Sequence, residues 1–431
     1  MTFMQARCRR VWRGLEYLAI PALGAVSPLI AIPAITATAG ASGWAAIAIG
    51  QGVGSAAAVV VELAWGLTGP QRVSRLKGAE RGDLYLLALL SKILVFAIVA
   101  PFSFYISTLI CDDAFSNEAG WAALSACAVG LSGAWFFLGT GRPAKILTIE
   151  TLPRLVATLG SCLILINVGS GILWIYPVAL LIVCVVSPVC MAWIVGNPSR
   201  SSIPSLSRIV GAMQEQKKGL AARVISSVYL ALPVPLVALV APSIVPEFAA
   251  VERLMRLVLV FLQAVPNALQ KRVGLTDLGL KDSRGAILRV IFVNGLLGLA
   301  SGLAFIAFGR FLTEILFAGT LEPEFGAYIL SGSVISVVCL SRATGGLVLV
   351  RLNALNGLLW SALLGSVLGV LMLVLLAPRF GVSGAFAGEL LAEVSVLLFQ
   401  GVVLFANPFF RRKRYGGFWK NWRADQYRRT A

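Results

Sequence analysis

Histidine is absent from this chain of 431 residues. Its absence excludes histidine-ligated metals and any catalytic triad built on imidazole. Charge is scarce as well, with Asp, Glu, Lys and Arg making up 13% of the residues, against roughly 25% in ordinary soluble domains. Long hydrophilic stretches are missing, the longest connector being 196–218, so no separate soluble domain fits between the apolar runs. No GxxxxGK[ST] motif occurs, and an ATP-driven pump would therefore need a partner chain. The seven cysteines form no CxxC pair. Cys127, Cys162, Cys184, Cys190 and Cys339 fall inside apolar runs, which gives no disulfide framework. No cofactor and no metal are implied.

What is present is apolar sequence. Hydrophobic residues make up 58% of the chain, and the mean hydropathy is +0.88. Runs of about 20 residues, the length that crosses a ~30 Å hydrocarbon core, recur throughout. Lipid cannot satisfy backbone polar groups, so such runs must be helices. The short alternating segments of a transmembrane barrel are lacking. Twelve spans result: 17–39, 43–66, 84–109, 119–140, 146–168, 171–195, 219–243, 247–270, 287–309, 326–350, 355–377 and 383–406. The first follows a basic start and is too long for the core of a signal peptide, so it reads as a retained span.

Charge sets the orientation. One side carries Arg7, Arg9, Arg10 and Arg13, then Arg72, Arg75, Lys77 and Arg81, then Arg142 and Lys145. Arg200, Arg208, Lys217, Lys218, Lys271, Arg272, Lys281, Arg284, Arg351 and the tail from Arg411 follow on that side. The other side has only Arg310 and Arg379, together with Asp112, Asp113, Glu118, Glu322 and Glu324. The positive-inside rule places both termini in the cytoplasm. The net charge of +17 lies mostly on these loops, where it meets anionic inner-leaflet lipid rather than nucleic acid. The tail "FFRRKRYGGFWKNWRADQYRR" interleaves basic and aromatic residues, as suits a segment lying on the inner leaflet; docking of a cytoplasmic partner is the alternative.

The spans fall into two sets of six. Pro33 and Pro233 are 200 residues apart, as are "QRV" (71–73) and "KRV" (271–273), and Arg142 corresponds to Arg351. Six spans per half keep both halves in one orientation, a parallel repeat about the membrane normal. The chain divides into a basic N-terminus (1–16), a first six-helix bundle (17–195), a linker (196–218), a second bundle (219–406) and a basic aromatic tail (407–431). Pro21, Pro28 and Pro33 in span one, and Pro233, Pro235 and Pro242 in span seven, predict that the first helix of each half is bent. Interrupted helices at matching positions point to a central substrate path; the plainer alternative is the general frequency of proline in membrane helices.

Two motifs invite chemistry and are better explained without it. "GQGVGS" (50–55) lies inside an apolar span with no preceding strand, and Gly50-xxx-Gly54 suits close helix contact. Asp112-Asp113 sits in the short outer loop "CDDAFSNE" and reads as a solvated turn rather than the acid pair of a membrane glycosyltransferase.

Charges inside the spans carry the functional signal. At 1.5 Å per residue, Arg256 sits roughly 12 Å and Arg253 roughly 8 Å below the outer surface, on one helix face. Both lie where the positive-inside bias disfavours a cation, which favours service to an anion; the guanidinium fork suits phosphate. Arg342 is a similar ~12 Å from the cytoplasmic side. A lumen holding Arg253, Arg256 and Arg342 would take a pyrophosphate or an acidic sugar. For Arg253, snorkelling is the alternative, and Glu252 has the spacing to bridge Arg256 structurally. Glu389 and Glu393 are four apart, with Glu393 about 15 Å deep, where it must face a cavity, find a partner or hold a proton. Glu62, Lys92 and Arg223 lie nearer the cytoplasmic ends and read first as interfacial anchors.

"GASGWAAIAIGQ" (40–51) with "GLTGPQRVSR" (66–75) resembles the first helical hairpin of polysaccharide transporter proteins. "WFFLGTGRPAKILTIETLPR" (135–154) resembles the segment joining their fourth and fifth helices, and "GVSGAFAGELLAE" (381–393) the glycine turn before their last. These are the Wzx-type lipid-linked oligosaccharide flippases of the MOP superfamily, which also contains the MATE multidrug antiporters and the lipid II flippases. The resemblance implies an all-α integral membrane protein whose two six-helix bundles, related by pseudo-twofold symmetry as in MATE proteins, alternate between inward and outward openings. It implies an undecaprenyl-pyrophosphate-linked oligosaccharide as cargo, for exopolysaccharide, capsule or O-antigen synthesis in a bacterial inner membrane. A neighbouring glycan polymerase would be a partner, and no enzyme activity is implied. Arg253, Arg256 and Arg342 would hold the headgroup, while Glu389 and Glu393 would couple an ion. The alternatives are a MATE-type multidrug or cation antiporter, which calls for a carboxylate-rich lumen, and a glycan polymerase or glycosyltransferase, which calls for a large outer loop.

Overall fold

The computed structural model describes residues 3–111, 114–195, 204–263, 280–350, 352 and 354–407, without the side chains of residues 3–22 and a few others. The readings placed on Asp112-Asp113, Arg200, Lys271, Arg272, Arg351 and the basic tail lie outside the described residues, as do those on the side chains of Arg7, Arg9, Arg10, Arg13, Pro21, Lys218, Lys281 and Arg284.

The described residues form helices and connecting turns, with no strand among them. In chain order the helices are α1 (Phe3–Glu62), α2 (Trp65–Arg75), α3 (Ala79–Ile110), α4 (Ser116–Ala128) and α5 (Ala134–Gly139). α6 (Pro143–Val168) contains a π-helical turn over Leu147–Thr151, and α7 (Ile175–Val195) completes the first half. The second half has α8 (Leu206–Ala231), α9 (Pro233–Val240), α10 (Val245–Leu262), α11 (Leu280–Leu316), α12 (Phe325–Leu349) and α13 (Leu355–Ala406). α1 and α13 each hold two crossings, while α4 with α5 and α8 with α9 each make one broken crossing, which yields the twelve-helix architecture.

The breaks have local causes. Inside α1 the backbone leaves the helical region at Gly40 (φ 64°). Inside α13 it does so at Phe380 and at Gly381 (φ 60°). A left-handed φ is disfavoured for residues with a Cβ and open to glycine, so "GASG" and "GVSG" each turn a double-length helix into a hairpin. Pro28 and Pro33 do not break α1, so the interruption expected within span one falls instead between spans one and two. Span seven is interrupted at Leu232, before Pro233, where proline supplies no N–H to continue the ladder. Span four is split at Ser132, whose ψ of 133° takes it out of the helix. α8 begins inside the stretch read as the linker; there Gln216 and Thr68 exchange hydrogen bonds of 2.9 and 3.0 Å, and Arg72 pairs with Glu215 at 3.0 Å.

Two kinds of contact hold the bundle. Within the first half, α1 packs along α4 so closely that a Cβ at Gly50 would run into the Ala119 carbonyl, and one at Gly54 into that of Ala123. Between the halves an apolar core closes the end that carries Gly40 and Gly381. On the second-half side of that core, Phe248 and Phe386 meet with ring centroids 5.0 Å apart. Trp44 meets Phe317 edge-on at 5.2 Å, and its indole N–H donates to the Pro246 carbonyl at 3.2 Å.

The glycine contact gives a stability prediction. Gly50→Leu or Gly54→Leu pushes α4 away and is expected to lower stability by about 1–3 kcal/mol, the usual range for overpacking. Gly160→Ala, where a Cβ meets nothing within 4 Å, serves as the control and should leave thermal unfolding of the detergent-solubilised protein unchanged or slightly higher. Equal melting temperatures for all three variants would show that the contact is not tight.

Candidate functional site

A cavity of about 370 Å³ lies between the halves, bounded by α1, α8, α9 and α10. α1 contributes Trp44, Ala48, Gln51, Ser55 and Val59, whose spacing of three to four residues puts them on one helix face. α8 contributes Arg223, and α10 contributes Glu252, Arg253 and Arg256. Three guanidinium groups thus face one carboxylate across a lining that is otherwise neutral.

The three arginines differ in what already holds them. Arg223 pairs with Glu62 at 2.7 Å, closing α8 against α1 at the end opposite the apolar core. Arg256 donates from Nε to Glu252 at 2.7 Å, one turn away on the same helix, and its Nη2 lies 3.7 Å from Glu389 on α13. The structural bridge open to Glu252 on spacing alone is therefore formed. Arg253 has no carboxylate within ion-pair range among the described residues.

Arg342 does not join this cavity. It stands where α12 loosens into a π-helical stretch (Arg342–Leu349), and its Nη1 donates to the Leu259 carbonyl of α10 at 2.7 Å. Glu389 is 2% exposed. Glu393, one turn on, lies within Coulombic reach of Arg342 and Glu389. The second half thus gathers Glu252, Arg256, Arg342, Glu389 and Glu393 around α10, and of these Glu252 and Arg256 line the cavity.

Lys92 corrects the sequence reading. Expected as an interfacial anchor, it is 1% exposed and donates to the Ser132 carbonyl at 2.8 Å. That carbonyl is released by the break between α4 and α5. The Ser132 hydroxyl in turn donates to Glu150 at 2.6 Å, and Glu150 pairs with Arg154 at 2.9 Å. A buried polar chain therefore runs from α3 to α6 inside the first half. Glu150, Arg154 and Ser132 were not among the candidate residues, although Glu150 and Arg154 stand four apart within the 146–168 span, a visible signal. The second half holds a polar cluster with a fainter one: Thr344 donates to Gln400, whose amide reaches Ser361 at 3.4 Å. No group of three or more His, Cys, Asp or Glu suited to a metal occurs among the described residues.

No family profile and no curated protein matches the chain. Solved structures do. One described as "Lipid II flippase MurJ, inward closed conformation" superposes with a TM-score of 0.69 at 11% identity, covering 92% of this chain and 88% of that one. An inward-facing multidrug resistance MATE family transporter of the MOP superfamily gives 0.61 at 12% identity, covering 92% and 99%. A MOP superfamily transporter from Pyrococcus furiosus, described by the reverse polarity of its binding pocket, gives 0.52 at 11% identity, covering 92% and 96%. The chain therefore has the twelve-helix fold of MOP-superfamily transporters, and these matches are transporters and a flippase, not enzymes.

The Lys92 chain can be tested for its structural share. Lys92→Met leaves the Ser132 carbonyl without its donor and is expected to cost roughly 1–3 kcal/mol, the penalty for an unsatisfied buried polar group. Thermal unfolding should show the loss. An unchanged melting temperature would mean that another donor takes the carbonyl.

Proposed function

We propose that this protein is a secondary transporter that flips a pyrophosphate-linked oligosaccharide lipid from the cytoplasmic to the outer leaflet of a bacterial inner membrane. Both termini would lie in the cytoplasm, so the apolar core would close the periplasmic end and the Arg223–Glu62 pair the cytoplasmic one. A glycan polymerase would then receive the product. The observation that carries this reading is Arg253, a cation on the lumen between the halves with no carboxylate partner among the described residues. Beside it, Arg256 can engage the same anion by giving up Glu252. A lumen with three arginines against one glutamate suits phosphate oxygens, to which guanidinium offers paired donors.

Coupling falls to the second half. Besides Glu252, Glu389 lies near Arg256 and Glu393 near Arg342, and a proton or cation arriving at Glu389 would change the field that Arg256 experiences. Rocking of the halves about the central lumen then alternates access.

A multidrug or cation antiporter is the second reading, favoured by the buried carboxylates Glu150 and Glu389. The two readings differ in the charge of the cargo.

The test uses purified protein in lipid vesicles with fluorescent undecaprenyl-pyrophosphate-linked sugar, followed by the fraction reaching the opposite leaflet. Arg253→Ala orphans no described carboxylate and should slow transport about tenfold or more, the loss of a charge-assisted hydrogen bond. Its melting temperature should stay at the wild-type value. Wild-type transport rates in the variant would remove the cationic-lumen reading. Uptake of a cationic dye, driven by a pH gradient, would favour the antiporter.

A further inference from the structure

A second cavity, of about 320 Å³, is lined by first-half residues together with Arg253. It is walled by α1, α4, α5, α6 and α7. Gln51, Ser55 and Arg253 line both this pocket and the central cavity, so Arg253 stands at the doorway between them.

The chemistry of the walls is specific. Ser125, Thr151 and Tyr176 present hydroxyl groups and are 5%, 7% and 1% exposed. Gln51 lines the void beside Tyr176, and Ser125 donates to its own helix at Ala122, which leaves its oxygen able to accept. Deeper in, Arg154 spends Nη2 on Glu150, while its buried Nε has no hydrogen-bond partner among the described residues. Buried polar groups are normally satisfied, so this much hydrogen-bonding capacity around a void points to a ligand that supplies partners.

Charge narrows the class of ligand. A metal ion would want several carboxylates, whereas Glu150 is alone here and already paired. A lipophilic cation would meet Arg154 and Arg253. A second anion would face Glu150. A neutral polyhydroxyl ring satisfies all of these groups, because each hydroxyl both donates and accepts. Its C–H faces can lie against Val129, Ile146 and Leu180, which also line the pocket.

Resting on the assignment of a lipid-linked saccharide as cargo, we infer that this pocket is the saccharide subsite. The pyrophosphate lies at Arg253 and Arg256, and the first sugar passes beyond Arg253 to Ser125, Thr151, Tyr176 and the Glu150–Arg154 pair. One half of the transporter therefore reads the glycan, while the lumen between the halves holds the anion common to all such lipids.

The experiment measures binding to the full-length protein in nanodiscs by titration. The probes are bare undecaprenyl pyrophosphate and the same lipid carrying one glucose or one N-acetylglucosamine. The wild type should bind at least one sugar-bearing probe more tightly than the bare lipid. In Ser125→Ala/Thr151→Val that preference should shrink by about fivefold for each hydrogen bond lost. Arg154→Lys, which keeps the charge but loses the planar fork, should reduce it separately, so the inference does not hang on one variant. If the wild type shows no preference for either sugar, or if the preference survives in both variants, the subsite is overturned while the flippase reading stands. If the wild type binds none of the three lipids, the cargo assignment falls and the subsite with it.

Discussion

A charge carried to the centre of a bilayer costs at least about 2.5–3.5 kcal/mol even on the mildest insertion scales, so each must find a counter-group inside the bundle. In the first half this requirement connects three helices. The break in span four frees the Ser132 carbonyl; Lys92 crosses from α3 to take it, and the Ser132 hydroxyl fixes Glu150, which fixes Arg154. In the second half, Arg256 stands between Glu252 on its own helix and Glu389 on α13, while Arg342 takes a backbone carbonyl of α10. Each set anchors broken or loosened helix to a neighbour, so the irregular backbone and the buried charge satisfy each other.

The number of crossings and their approximate limits were legible because length and hydropathy report directly on a bilayer. The glycines were legible too: Gly50 and Gly54 read as packing residues, and their hydrogens do face the carbonyls of α4. What failed was the step from depth to partner. Counting rise along one helix places Lys92 near an interface, but says nothing about a carbonyl released 40 residues away by a break that hydropathy does not register. Arg342 shows the same limit, since its depth suits the lumen while its fork is spent on Leu259. Glu150 and Arg154 were readable as an i, i+4 pair within the 146–168 span.

The two ends of the bundle are closed by different physics. At the Gly40 end the closure is apolar, with Trp44 of the first half against Phe317 of the second, in one cluster with Phe248 and Phe386. Opening there would expose that surface and break the indole contact to Pro246. At the other end the lock between α8 and α1 is Arg223 with Glu62, with side chains 47% and 22% exposed. Water can replace such a pair at little cost, because exposed ion pairs contribute only weakly. The unequal closures bias the protein against opening at the apolar end, and on the proposed reading a cargo entering from the arginine side would itself supply the free energy that parts the aromatic core.

On the proposed reading, the state of each arginine constrains what the cargo would be. Arg253 is available at once, whereas Arg256 is already satisfied by Glu252 at 2.7 Å. An anion with a single charged group gains nothing at Arg256 unless it displaces a carboxylate of equal charge. Two linked phosphates, as in the proposed cargo, would escape that limit: the first would engage Arg253, and the second would then be held beside Arg256 at high effective concentration, where displacing Glu252 becomes an intramolecular exchange. On that reading the released Glu252 would lie near Glu389, and two neighbouring carboxylates attract a cation. On the proposed reading, anion binding in the lumen and cation uptake in the second half would be linked through one side chain, Arg256.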